Sequence, residues 1–282
     1  MIKSRRFRKI TQDGNRRLAE SANNNQRPCP LCGAFDRRRL FQREGWEVVQ
    51  CARCEMVFIG NQPLAYDAQA AHHDWADDFT KEASRRKASR PVLMFFSRLT
   101  RPLRRDATDR QFAHAVHWRR EGKLLDLGCG DGRFLARAAQ HFDVMGVDLS
   151  PGAARSAQAR VPGAAILVGP VTQAAVPENA FDIVTQIAYL EHEWQPVEGL
   201  RVAFRALKPG GVLVIKTPNY ASWNRSIMGQ DWCGIHIPSH CNYFTPATLT
   251  RMLRQVGFAP LPRPVLDRLP TSDTLWMAAR KP

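Results

Sequence analysis

From about residue 121 onward, short apolar runs that end in Gly or Asp alternate with Ala-rich stretches of helical character. That alternation predicts repeated βα units and a largely parallel sheet. Strands are expected near 123–127, 143–148, 165–168, 181–186, 211–216, 258–266 and 274–280, and helices near 132–140, 151–159, 194–206 and 246–256. Thr245 and Pro246 suit the cap and first turn of the last helix, and Gly257 its stop. Ahead of residue 121 the patterning is weaker. Residues 1–27, rich in Arg, Asn and Gln, predict a disordered basic arm. Within 28–60, Trp46-Glu47-Val48-Val49-Gln50 has strand composition and leads into a cysteine pair. Residues 61–120 are polar and helix-prone and predict a helical linker or lid. Their one apolar run, Val92 to Phe96, lies among arginines.

Charge is distributed unevenly. Of 41 Lys and Arg and 26 Asp and Glu in 282 residues, residues 1–120 hold 25 and 13. The basic front part is either a solubilising segment or the mark of an acidic partner: nucleic acid, an anionic membrane surface met peripherally through Phe95 and Phe96, or a phosphorylated substrate. No uncharged apolar stretch of about 18 residues is present, which excludes a membrane-spanning helix. No apolar region follows the basic residues Lys3, Arg5 and Arg6, so a secretory signal is not expected and a reducing cytoplasm is.

Four of the seven cysteines form two C-x2-C pairs, Cys29/Cys32 and Cys51/Cys54, with 18 residues between them. Two intervening residues let both sulfurs of a tight turn face one ion, and four thiolates complete a closed tetrahedral site of the structural zinc type. A polar segment of this size has little core of its own, so the metal would supply much of its folding energy.

The stretch Leu124-Leu125-Asp126-Leu127-Gly128-Cys129-Gly130-Asp131-Gly132 takes an apolar strand into a glycine-rich loop and then a helix. Glycine lets the backbone approach a ligand closely. Gly146-Val147-Asp148 ends the next strand, where a carboxylate can accept hydrogen bonds from ribose hydroxyls. The loop lacks the dinucleotide form G-x-G-x-x-G. Its D-x-G-x-G-x-G, followed by G-x-D, resembles the class I S-adenosylmethionine-dependent methyltransferases. Phe181-Asp182-Ile183-Val184, Leu190-Glu191-His192 and Leu207-Lys208-Pro209-Gly210-Gly211 continue that resemblance in order. It implies a Rossmann-like seven-stranded sheet with helices on both faces over 121–282, preceded by the zinc-ribbon-like module of 28–60. It further implies that Asp126, Gly128 and Gly130 border the amino-acid end of S-adenosylmethionine, that Asp148 holds its ribose and that Leu149 packs on adenine. The Asp that often meets the adenine amino group is missing from Val168-Gly169-Pro170-Val171, leaving Gln173 and Gln186 as candidates.

Methyl transfer needs alignment and water exclusion, and a hydroxyl acceptor needs a base as well. His192 follows the fourth strand of the sheet. His236 and His240 follow the fifth, in a segment resembling the H-x-x-Y-F-[ST] signature of a methyltransferase subgroup found with glycan and secondary-metabolite pathways. His192 and His240 are the candidate catalytic residues, and Trp223 and Trp232 are candidate walls of an acceptor pocket, the alternative being that they fill a subdomain core. The expected acceptor is a small molecule such as a sugar, a glycan precursor or a biosynthetic intermediate. The alternative is RNA, bound by the zinc module and the arm, although the arm lacks an aromatic ladder for stacking bases.

Overall fold

The computed structural model describes residues 26–61, 107–263 and 270–282. Residues 1–25 of the predicted arm and 62–106 of the predicted linker, including Phe95 and Phe96, lie outside the described residues. In chain order the strands are β1 (Arg37–Arg43), β2 (Trp46–Cys51), β3 (Val57–Ile59), β4 (Gly122–Leu127), β5 (Phe142–Asp148), β6 (Ala165–Val168), β7 (Phe181–Ile187), β8 (Leu207–Pro218), β9 (Asn242–Tyr243), β10 (Ala259–Pro260) and β11 (Thr274–Arg280). The helices are α1 (Ala107–Val116), α2 (Arg133–Ala138), α3 (Pro151–Arg160), α4 (Pro196–Ala206), α5 (Trp223–Met228) and α6 (Pro246–Val256).

Seven strands form one sheet in the order β10-β11-β8-β7-β4-β5-β6. β4 pairs in parallel with β5 and β7, and β5 with β6, whereas β10 and β11 are antiparallel. The result is a mixed sheet whose β4, β5, β6 and β7 have the parallel pairing that the alternating pattern predicts, in the Rossmann-like form that the resemblance implies, with an antiparallel edge at β10 and β11. The predicted strand at 258–266 is shorter than expected, with β10 covering two residues. Pro260 and Pro262 lack the N–H groups that a continuing ladder would need.

The described residues fall into two compact units. One comprises 107–187 and 206–212. Its core gathers Leu124 of β4, Phe134 and Leu135 of α2, Phe142 and Val144 of β5 and Ile183 of β7, together with Phe112 of α1. Gly132 starts α2 with φ of +76°, and a Cβ there would stand 2.7 Å from Ala157 Cα, so glycine alone permits this approach of α2 to α3. Ser150 caps α3 and Pro151 occupies its first turn.

The other unit comprises 26–61, 188–205, 213–263 and 270–282. Here β1, β2 and β3 form an antiparallel sheet whose fourth strand is β9, with Val57 opposite Tyr243 and Phe58 opposite Asn242. Val48, Val57, Tyr220, Trp232, Ile235 and Tyr243 pack together on it. Burial of each such side chain contributes about 1.5–3 kcal/mol, which is how a two-residue strand holds its place. Thr245 and Thr248 form a capping box at the start of α6, and Gly257 ends it in the left-handed region, as the sequence predicts. Among the described residues, no helix is long and apolar enough to cross a membrane.

Candidate functional site

The glycine loop leaves β4 with Asp126 buried at 2% exposure. Thr185 Oγ1 donates to Asp126 Oδ1 at 2.6 Å. Burial pushes the Asp126 carboxyl up to about 7, against the Thr185 hydroxyl and with help from the charge of Asp148. Gly128 and Gly130 have φ of +80° and +55°. The N–H groups of Gly128 and Cys129 donate to Val147 O at 2.8 and 3.0 Å, stitching the loop to the end of β5. Gly130 N donates to Asp148 Oδ2 at 2.7 Å, and Ser150 N to Asp148 Oδ1 at 2.9 Å. Among the described residues, chain neighbours aside, no atom lies within 4 Å of where a Gly130 Cβ would stand, so these residues leave the loop backbone bare on that face.

Those features fit S-adenosylmethionine. A buried carboxylate matches an ammonium, the open glycine face admits the amino-acid end, and a carboxylate at the end of the second strand is the group type that accepts from ribose hydroxyls. Leu149 beside it is half-buried, Gln173 is exposed in a single turn, and Gln186 is buried.

In the other unit, Ala188 takes φ of +54° immediately after β7, its N–H bonded to Lys216 O at 2.8 Å. That turn leads into Glu191 and His192. His192 Nδ1 lies 2.8 Å from Ser239 O, and His240 Nδ1 lies 2.8 Å from Gly234 O. A carbonyl oxygen only accepts, so each Nδ1 carries the hydrogen and the lone pair sits on Nε2. The rings of His192 and His240 are 4.7 Å apart and nearly perpendicular, and His236 lies 4.8 Å from His240. The two predicted catalytic histidines are thus brought together, with His236 beside them.

Backbone and side-chain bonds hold the two histidine-bearing segments. Cys241 N and Asn242 N donate to Glu191 O at 2.8 and 3.1 Å. Asn242 Nδ2 donates to Leu190 O and Glu193 O at 3.1 and 2.6 Å. Arg27, only 4% exposed, donates to Cys241 O, Trp194 O and Asn242 Oδ1, with its guanidinium over the Trp194 ring. Arg27 and Asn242 escaped the sequence reading, whose only clue to them was their adjacency to Cys29 and to the His240 segment. Trp232 corrects an expectation. It is 1% exposed, bonded through Nε1 to Asp273, and fills the core rather than a pocket wall, while Trp223 is largely exposed.

The four cysteines converge, with every sulfur within 4.8 Å of the others. Cys29 and Cys54 are 3.4 Å apart and Cys32 and Cys51 are 3.5 Å apart. Thiolates at 2.3 Å around a tetrahedral ion would lie about 3.8 Å from one another, so the set fits zinc with small adjustments. Gly33 after the first pair and Glu55 after the second both adopt positive φ, +73° and +63°, making two matching knuckles.

The sequence model of a methyltransferase-domain family matches residues 72–262. A probable S-adenosylmethionine-dependent methyltransferase of Mycolicibacterium smegmatis is 30% identical over 138 residues, 48% of this chain and 51% of that protein. A ubiquinone biosynthesis O-methyltransferase of Thiobacillus denitrificans is 31% identical over 147 residues, 48% of this chain and 63% of that protein. The chain therefore spans about half to three-fifths of the length of these relatives. A solved S-adenosylmethionine-dependent methyltransferase from Mesorhizobium loti shares the fold, with a TM-score of 0.50, 23% identity and coverage of 62% of this chain and 98% of its own. With the family match covering more than half of its residues, this chain belongs to the methyltransferase-domain family.

Proposed function

We propose that the chain transfers a methyl group from S-adenosylmethionine to a hydroxyl of a small-molecule acceptor. The observation that supports it most is the bare Gly130 backbone bonded to Asp148 beside the buried Asp126. When bound, the cofactor supplies an activated methyl group on a sulfonium. Asp126 holds the ammonium of its amino-acid end, Gly128 and Gly130 allow close backbone approach, Asp148 accepts from the ribose hydroxyls and Leu149 covers the adenine. On the acceptor side, Nε2 of His192 or His240 takes the hydroxyl proton while Nδ1–H stays on its backbone carbonyl. Two relatives named as ubiquinone biosynthesis O-methyltransferases support oxygen on a small molecule as the acceptor atom. Cys29, Cys32, Cys51 and Cys54 hold a structural zinc ion.

Calorimetry and thermal melting with S-adenosylmethionine and its demethylated product test this reading. Saturable heat and a raised melting temperature are expected with both ligands. An unchanged heat signal and melting curve would discard it.

A further inference from the structure

Glu191, His192 and His240 offer one carboxylate oxygen and two imidazole nitrogens that all lie within 4.8 Å of one another. Glu191 is 2% exposed, and its buried Oε2 forms no well-aligned hydrogen bond among the described residues. A buried carboxyl oxygen of this kind, with the charge of Lys216 acting on it, is stabilised in its ionised form by a positive partner. Both imidazoles donate Nδ1–H to backbone carbonyls, so in the neutral ring the lone pair of each is on Nε2. A hydrogen bond from the other ring nitrogen to a carbonyl orients histidines that ligate metals. The backbone bonds from Cys241 and Asn242 to Glu191 O tie the two ligand-bearing segments together before any ion arrives.

We propose that Glu191, His192 and His240 form a second metal site, separate in its ligands from the cysteine quartet, which takes a divalent cation of the Zn2+, Co2+ or Fe2+ class. Two imidazoles and one carboxylate suit these borderline ions better than Mg2+ or Ca2+, which favour all-oxygen sets. Donors bound at about 2.1 Å lie roughly 3.0–3.4 Å apart, so side-chain movements of about 1 Å close the site. Three protein ligands leave a coordination position open, the pattern of reactive rather than structural sites. The site deepens the acceptor-side reading and rests on it for its role. With the cation bound, both Nε2 lone pairs are its ligands and not bases; an acceptor hydroxyl at the open position would be acidified by the cation and would give its proton to water.

The test is equilibrium dialysis of the full chain, as purified, against Co2+, with elemental analysis and visible absorption. One Co2+ per chain is expected with weak ligand-field bands and no strong thiolate charge-transfer band. His192→Asn and His240→Asn should each weaken it at least about tenfold. Glu191→Gln, matched in shape, should do the same and covers the case in which a histidine variant fails to fold. Uptake confined to thiolate ligation, or unaltered in Glu191→Gln and His192→Asn, overturns the proposal. S-adenosylmethionine binding is measured on the same samples. Cofactor binding without this uptake removes the cation alone, whereas Co2+ uptake without cofactor binding removes methyl transfer alone.

Discussion

Arg27 donates a hydrogen bond to Asn242 Oδ1 at 3.0 Å although 215 positions separate the two residues. The same guanidinium bonds Cys241 O and Trp194 O, and Asn242 in turn bonds the segment that carries His192. A buried cation with several acceptors is costly to interrupt, because each acceptor stays buried when the donor is removed. Arg27→Met is expected to destabilise the fold by about 3–5 kcal/mol, measured by urea denaturation. Arg27→Lys should recover little of this, since an ammonium cannot span three acceptors in the guanidinium plane.

The Gly130–Asp148 bond makes a second prediction. Asp148→Ala removes the acceptor of the loop N–H and the proposed ribose contact together. S-adenosylmethionine affinity should fall by about 1.5–3 kcal/mol, roughly 10- to 150-fold, by calorimetry. Asp148→Asn keeps one acceptor oxygen and should lose less. Equal affinity in all three proteins would remove Asp148 from the cofactor site.

Asp126 makes the fold sensitive to pH. Its carboxyl rises from the ordinary 3.8 to about 7 in the folded chain because burial disfavours the charged form. An unfolded chain gives up this proton above about pH 4 while the fold keeps it until about 7. Asp126 therefore costs no stability below pH 4, and its penalty grows as pH rises to about 7, reaching roughly 4 kcal/mol before any screening or relaxation. Denaturant midpoints between pH 4 and 8 should show the decline, and Asp126→Asn should flatten it.

Cofactor binding should read the same group with the opposite sign. A cationic ammonium favours ionised Asp126, so S-adenosylmethionine binding near pH 6 should release a proton and affinity should increase up to about pH 7. Calorimetry in two buffers of different ionisation enthalpy counts that proton. No buffer dependence at pH 6, or the same dependence in Asp126→Asn, would contradict the assignment.

Zinc at the cysteine quartet should be stoichiometric and structural. Elemental analysis is expected to find one thiolate-bound zinc per chain, lost in Cys29→Ser. Because β3 pairs with β9, loss of the ion should also reduce amide protection at Asn242 and Tyr243, measurable by hydrogen exchange. Protection at β9 unchanged by chelation would show that the strand pair stands without the metal.

Features written in neighbouring residues were legible in the sequence. The positions after β4 need positive φ, and glycine supplies it; the α6 cap requires Thr245, Pro246 and Gly257 within one helix length; the cysteine pairs announce themselves by spacing. β1 was missed because Arg37, Arg38 and Arg39 imitate a solvated loop, although the strand pairs with β2 from Arg37 to Arg43 with one irregularity at Leu40. Trp232 shows the same limit. Aromatic character predicts burial, but only the positions of Tyr220, Tyr243 and Asp273 decide whether the ring fills a core or lines a cavity.

Amino-acid order alone determined the alternation of strands and helices, the glycine loop at the end of β4 and the pairing of cysteines into two knuckles, since each depends on backbone preferences acting over a few residues. Folding in three dimensions decided that Arg27 would be buried against Asn242, that β9 would complete the small sheet and that Glu191 would stand beside His192 and His240. Such partners are far apart along the chain, and packing and desolvation act on distance in space, which no local pattern records.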